Sequence, residues 1–209
     1  SKQVADRVPG MLVLPPITVG YSGHYDTFPF TLTFDYETMI HVIYDIVESV
    51  LRNGINKIFL MNGHDGNIAP IEIAARKIKE KYPDARIASL PEWWVIAGKL
   101  VPEGTFAVWN GLGHAGEGET SIAYHLFPQW CEPDQATCVV PDHLPEHVDI
   151  KWDFAEITDT AQTGDATVAT AAKGKLMNDC LVEAVVKDIE ALEKTGWNYN
   201  TSHCATKLK

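Results

Sequence analysis

His64 stands between two glycines in Lys57-Ile-Phe-Leu-Met-Asn-Gly-His-Asp-Gly-Asn67, with Asp65 beside it and Asn67 closing the segment. A second histidine opens His114-Ala-Gly-Glu-Gly-Glu-Thr-Ser121, where Glu117 and Glu119 follow closely. Imidazole and carboxylate together suit two chemistries. They bind borderline divalent cations such as Zn²⁺, Mn²⁺ or Fe²⁺, and they move protons. The surrounding glycines let backbone and ion approach each other closely. Each segment taken alone has a plainer reading: a Gly-rich turn with a solvent-facing histidine, and a carboxylate that caps a helix N-terminus.

The elements around these segments decide where they sit. Residues 58–61 form a short continuous apolar run, as expected of a strand covered on both faces, and Ile68–Lys81 has helical spacing. His64 therefore falls at the carboxyl end of a strand, the edge where open α/β sheets gather ligands beside helix N-termini. His114 and Glu119 would diverge by about 140° on one continuous helix, so a loop must bring them together. A helix over 119–127 puts Glu119 in its first turn, where the helix dipole favours a carboxylate.

Elsewhere strand and helix alternate, which predicts an α/β class with helices on both sides of the sheet. Residues 11–14 read as a strand. Tyr36–Arg52 reads as a helix with Met39, Ile40, Ile43, Ile46, Val47 and Val50 on its apolar side, closed by Gly54. Residues 85–90 read as a third strand leading into Pro91-Glu-Trp-Trp-Val95. A C-terminal helix over 171–192 carries the stripe Leu176, Cys180, Leu181, Ala184, Val185 and Ile189, which is most simply core or oligomer contact. Trp93 and Trp94 follow a strand's carboxyl end and could wall a substrate pocket, though a tryptophan pair more often belongs to a core or interface. His41 and His125 lie within helices beside apolar residues and read as structural. His143 and His147 have a spacing that suggests a metal pair, but Pro145 breaks the helix that would align them.

Taken together, the two glycine-rich segments resemble the creatininase (creatinine amidohydrolase) family. Asn62-Gly-His-Asp-Gly-Asn67 is similar to that family's Asn-Gly-His-x-x-Asn loop, and His114-Ala-Gly-Glu-Gly-Glu-Thr-Ser121 to its His-Ala-x-x-x-Glu-Thr-Ser signature. Two weaker matches lie in the same order: Leu14-Pro-Pro-Ile-x-x-Gly-x-Ser-x-His24 with Phe28-Pro-Phe-Thr31, and Gly164-Asp-Ala-Thr-x-Ala-Thr170 followed by Lys173-Gly174. The resemblance spans nearly the whole chain, read as one domain over 1–209.

It implies a three-layer α/β/α fold with a largely parallel sheet, one or two divalent ions (Zn, Mn or Fe), a small-molecule substrate and a homohexamer. Family members hydrolyse C–N bonds. They include creatinine amidohydrolases, formamidopyrimidine deformylases and a peptidase of mycofactocin maturation. By the same resemblance His64 and Glu119 fall on metal-ligand positions and His114 on the position assigned to proton transfer. Ser22, His24, Asp65, Asn67, Trp93, Trp94 and Glu117 are weaker candidates for substrate contact, His24 with a structural role equally open. Where some members carry a metal-binding Glu two residues after the loop histidine, this chain has Gly66. The family's Glu-x-His segment and following Asp are also missing, about fifty residues in all. Two ligands cannot fill a four-coordinate site, so either the chain is a fragment or a companion N-terminal polypeptide completes it, the second being the favoured expectation.

Composition bounds the partners. Of the 209 residues, 45% are hydrophobic, enough for a well-buried core, and the net charge of −11 with dispersed Lys and Arg argues against nucleic acid. No apolar run approaches membrane-spanning length and no secretory signal opens the chain. Cys131, Cys138, Cys180 and Cys204 show no C-x-x-C pairing, so free thiols and a cytoplasmic location are expected. The expected activity is metal-assisted hydrolysis of a non-peptide C–N bond, with His114 relaying a proton to the leaving nitrogen. No Gly-x-Ser-x-Gly elbow supports a serine hydrolase. A non-catalytic metabolite-binding or scaffold subunit and a metal-dependent lyase or isomerase remain alternatives.

Overall fold

The structure, a computed structural model, describes residues 1–142, 147–148 and 150–198. His143 and Cys204 lie outside the described residues.

Strands β1 (Lys57–Met61) and β2 (Arg86–Leu90) run parallel, in register from Lys57 opposite Arg86 to Met61 opposite Leu90. Side chains alternate across a strand, and here both faces are covered. Ile58, Leu60 and Ile87 pack with Met39, Ile40, Ile43 and Val47 of α2 (Tyr36–Arg52) and with Ile71, Ala74 and Ile78 of α3 (Ile68–Lys81). Phe59 and Leu90 face the opposite layer. It is built from Val4 of α1 (Lys2–Ala5), Ala97 of α4 (Trp93–Leu100) and Met177, Leu181, Val185 and Ile189 of α6 (Ala171–Lys194). The result is helix, sheet, helix: the three-layer α/β arrangement, with α3 as the crossover between two parallel strands. Asp35 starts α2 by accepting the Thr38 N–H at 2.6 Å, the usual role of an N-cap carboxylate.

Helix α5 (Glu117–Leu126) lies on α6 at very short range. A Cβ on Gly174 would stand 1.8 Å from the Ser121 carbonyl oxygen, so only glycine fits at this crossing. The Ser121 hydroxyl accepts the Thr170 N–H at 3.1 Å beside it. Under the same crossing, Glu117 is fully buried, pairs with Lys173, and accepts the Ala107 N–H at 2.7 Å. A short antiparallel bridge between β3 (Cys138–Val139) and β4 (Gly164–Asp165) holds the chain entering α6.

Three differences from the sequence reading are informative. Residues 11–14 are not a strand. Leu12 is 75% exposed, and no backbone ladder among the described residues reaches the segment, without which an apolar run has nothing to pair with. The buried stripe of α6 runs Gly174, Met177, Asn178, Leu181 and Val185, while Leu176 is exposed; the helix is phased by a glycine, which carries no apolar side chain to read. On α2, Ile46 likewise faces out. Among the described residues, Cys131, Cys138 and Cys180 are free thiols, and no helix is long and apolar enough to cross a membrane.

Replacing Gly174 by Ala should force α5 and α6 apart. The expected loss is about 1–3 kcal/mol of stability, the usual cost of overpacking, measured by urea unfolding. A variant as stable as the wild type would show that the crossing is looser than described.

Candidate active site

At the end of β1 the chain continues the ladder for one more bond, from the Asn62 N–H to the Leu90 carbonyl at 3.1 Å. The Asn62 side chain is 3% exposed and makes three hydrogen bonds. Its Nδ2 donates to the carbonyls of His64 (2.7 Å) and Pro91 (2.8 Å), and its Oδ1 accepts the His64 N–H (3.1 Å). One buried carboxamide thus ties the ends of both strands together and fixes the backbone of His64.

Asn67 closes the loop by accepting the Tyr21 N–H at 2.9 Å. Gly66 is pressed against the same neighbour: a Cβ there would fall 2.3 Å from the Tyr21 carbonyl oxygen. No side chain, and so no carboxylate, fits at 66 in this packing. The following residue, Ser22, receives its own support from Thr33, whose hydroxyl accepts the Ser22 N–H at 2.8 Å. The Ser22 hydroxyl then lies 3.3 Å from His64 Nε2, and the turn Gly23–Tyr25 sets the His24 ring parallel to that of His64, with centroids 5.6 Å apart.

His114 arrives from a different part of the chain. Its N–H donates to the Thr163 hydroxyl at 2.9 Å and its carbonyl accepts the Thr163 N–H at 2.9 Å, a reciprocal pair that pins the loop to the residue preceding β4. Gly113, at φ +114°, allows the close pass, since a Cβ would meet the Thr163 carbonyl oxygen at 2.4 Å. Ala115 adopts φ +48°, a left-handed conformation costly for alanine. Its N–H donates to Glu119 Oε2 at 2.8 Å. Glu119 does sit in the first turn of α5, and one of its oxygens acts as a cap; the other has no hydrogen-bond partner among the described residues. The loop sets the Ala115 amide, next to His114, on Glu119.

The electrostatics are those of bases held uncharged. Burial, and then His64 and His24, lower the His114 pKa to about 4. Burial also lowers His24 and His64; each feels an opposing pull from Asp65. Glu119 is raised by its own burial, with the Ala115 N–H opposing and Asp65 adding. Three neutral imidazoles therefore share one region around Tyr25, and a part-buried carboxylate is bonded to the residue after one of them.

Tyr25 and Phe154 complete it, and sequence reasoning missed both. The Tyr25 ring lies 4.3 Å from His114 and 4.2 Å from Phe154, and Phe154 meets His114 edge-on at 5.6 Å. Phe154 is carried by a turn whose Asp153 accepts a hydrogen bond from the Thr27 hydroxyl at 3.0 Å. Neither residue belongs to a periodic pattern; the only signal for Tyr25 was its place next to His24. Glu117, expected near substrate, is corrected by the structure: both of its oxygens are engaged beneath the α5–α6 crossing, by Lys173 and by the Ala107 N–H. Trp93 packs on the core and Trp94 stands edge-on to it at 5.8 Å; no described ring contact joins either to the histidines. Among the described residues, no three His, Cys, Asp or Glu side chains are placed to hold one metal ion together.

Residues 1–189 match the family model for creatinine amidohydrolase. The chain is 29% identical over 203 residues to a creatinine amidohydrolase of Pseudomonas putida, covering 90% of this chain and 77% of that protein. It is 26% identical over 180 residues to a mycofactocin precursor peptide peptidase of Mycobacterium ulcerans, covering 83% of this chain and 65% of the relative. Among solved structures it is similar to a manganese creatininase (TM-score 0.74, 28% identity, 92% of this chain and 79% of that chain). It is also similar to a mutant creatininase of zinc–zinc type (TM-score 0.73, 27% identity, 92% and 79%).

Two measurements test this geometry. Asn62→Ala leaves the His64 and Pro91 carbonyls without their donor and should cost roughly 1–3 kcal/mol in urea unfolding; a neutral result would mean the carboxamide does not hold the loop. His114 is lowered on folding, so the unfolded chain binds the extra proton between pH 6.5 and about 4, and stability must fall as pH drops through that window. Glu119 titrates in the opposite sense. His114→Gln should therefore flatten the acid limb of the stability profile by up to about 1.4 kcal/mol per pH unit; an unchanged limb would place His114 in solvent.

Proposed function

The chain belongs to the creatinine amidohydrolase family, and from that premise we propose that it is a metal-dependent hydrolase that cleaves a C–N bond of a small non-peptide amide, cyclic amidine or formamide. The observation that carries the reading is the convergence of His24, His64 and His114 around Tyr25, from the turn Gly23–Tyr25, the loop after β1 and the loop before α5, with Glu119 bonded to the residue after His114.

Part-buried neutral imidazoles and a part-buried carboxylate are donors of the type a divalent cation takes. His64 and Glu119 would hold it, and the zinc and manganese relatives support those two metals, with iron compatible on ligand type. Two protein groups leave a four-coordinate site short, so the proposal includes ligands beyond this pair. When bound, the ion would supply Lewis acidity toward a carbonyl oxygen and bring a water's pKa toward neutrality. His114, neutral at pH 7, is placed to accept a proton and return it to the leaving nitrogen. Ser22 and the His24 ring hold His64 from the other side.

A peptide substrate is a second reading, supported by the mycofactocin peptidase relative. The small-molecule reading is favoured because Tyr25 and Phe154 close over His114 at about van der Waals contact, leaving little room for an extended chain.

The test is hydrolysis by the Zn²⁺- or Mn²⁺-loaded protein of creatinine, small formamides and short peptides, followed by release of amine. Cleavage of peptides alone would overturn the substrate class, and no cleavage despite bound metal would overturn the hydrolase reading in favour of a binding subunit or a lyase. Within the hydrolase, His64→Ala should lose metal by elemental analysis. His114→Ala should keep metal and lose about 10²–10⁴ in turnover. Metal loss in both would contradict this division of roles.

A further inference from the structure

Tyr25 stands in the middle of the histidine cluster without a function so far. Its ring centroid is 4.3 Å from both His24 and His114, 4.2 Å from Phe154 and 6.0 Å from His64. The residue is 8% exposed, and among the described residues no group makes a hydrogen bond to its hydroxyl. Its backbone, by contrast, is tied down: the Tyr25 N–H donates to the Ser22 carbonyl at 2.9 Å and the Thr31 hydroxyl donates to the Tyr25 carbonyl at 2.9 Å.

Because no sealed side-chain polar atom among the described residues lacks a partner, this hydroxyl is open to solvent and free to bond to a ligand that enters the site. A phenylalanine would fill the same space among the rings but offer an entering ligand no donor. A polar tip kept at this position, on a rigidly held turn and between the histidine at the metal position and the one assigned to proton transfer, points to a partner that arrives with the ligand.

We propose that Tyr25 is a catalytic residue whose phenol hydroxyl donates a hydrogen bond to the carbonyl oxygen of the scissile amide. The inference rests on the reading of the site as one that cleaves amides. When the oxygen of water bonds to the carbonyl carbon, the C=O electron pair moves onto the carbonyl oxygen; when that pair returns, the C–N bond breaks and the nitrogen leaves with a proton. His114 serves the proton and Tyr25 the oxygen. A phenol is protonated across the working pH range, so it is always a donor, and a donor fixed before the charge develops is most effective where water is excluded.

The experiment compares wild type with Tyr25→Phe, which keeps the ring and removes only the hydroxyl. On any amide that the wild type cleaves, kcat should fall by about 10²–10³ with KM within about threefold, while the ligand-free Tm is unchanged. Activity within twofold of wild type, or a lower Tm, would overturn the proposal and return Tyr25 to a packing role. A second readout is independent of turnover: pyrrolidone, a five-membered lactam, should raise the wild-type Tm and raise that of Tyr25→Phe much less. Equal shifts, or no shift in either protein, would also overturn it. A wild type that cleaves no amide but shows the hydroxyl-dependent shift would overturn the hydrolase reading while supporting Tyr25 as the carbonyl donor.

Discussion

A single buried carboxamide sets the geometry on which the site depends. Parallel strands end side by side but nothing in a sheet ladder fixes the loops that leave them, and those loops carry the chemistry. Asn62 closes that gap by bonding to the loop leaving β1 and to the residue just beyond β2 at once. With both strand ends joined, His64 has a fixed backbone, α3 has a fixed start, and Asn67 can reach across to hold the segment that bears Ser22, His24 and Tyr25. Asparagine suits this position because it supplies two donors and an acceptor without a charge to bury.

The histidines are gathered at a cost to the free protein. Rings that would carry part of a positive charge near neutral pH are kept neutral by burial and by one another, and Glu119 is part-buried with its carboxyl pKa raised. The strain at Ala115 belongs to the same arrangement: its left-handed backbone turns the amide toward Glu119 and lets His114 reach Thr163. Local discomfort of this kind is tolerated where the surrounding packing over-determines the loop, and the α5–α6 crossing through Gly174 provides that packing.

How much of this was legible beforehand follows from the kind of signal each residue leaves. The strand over 58–61 and the loop after it were readable because a short apolar run that stops at Asn-Gly-His has few other meanings. His114 and Glu119 were readable as a pair that needs a loop, and the loop is there. The apolar phase of α6 was misread at Leu176 because Gly174 and Asn178, which line the buried side, do not look apolar. Residues 11–14 have a strand's composition but no neighbour to bond, and pairing is not written in composition. Glu117 and Glu119 look interchangeable in sequence; only the register of the helix buries one under Lys173 and sets the other on the Ala115 amide, next to His114. Phe154 enters from a segment with no motif at all.

The reciprocal bonds between His114 and Thr163 join positions 49 residues apart, and the Ser121–Thr170 bond spans the same separation. By contrast, β1, α3 and β2 are consecutive and bury one another. Contacts between neighbours in sequence close at small entropic cost, whereas distant ones wait for long loops to shut. A refolding chain will therefore regain its helices and parallel pair first and assemble the histidine cluster last, so that ultraviolet helicity returns ahead of any competence to bind.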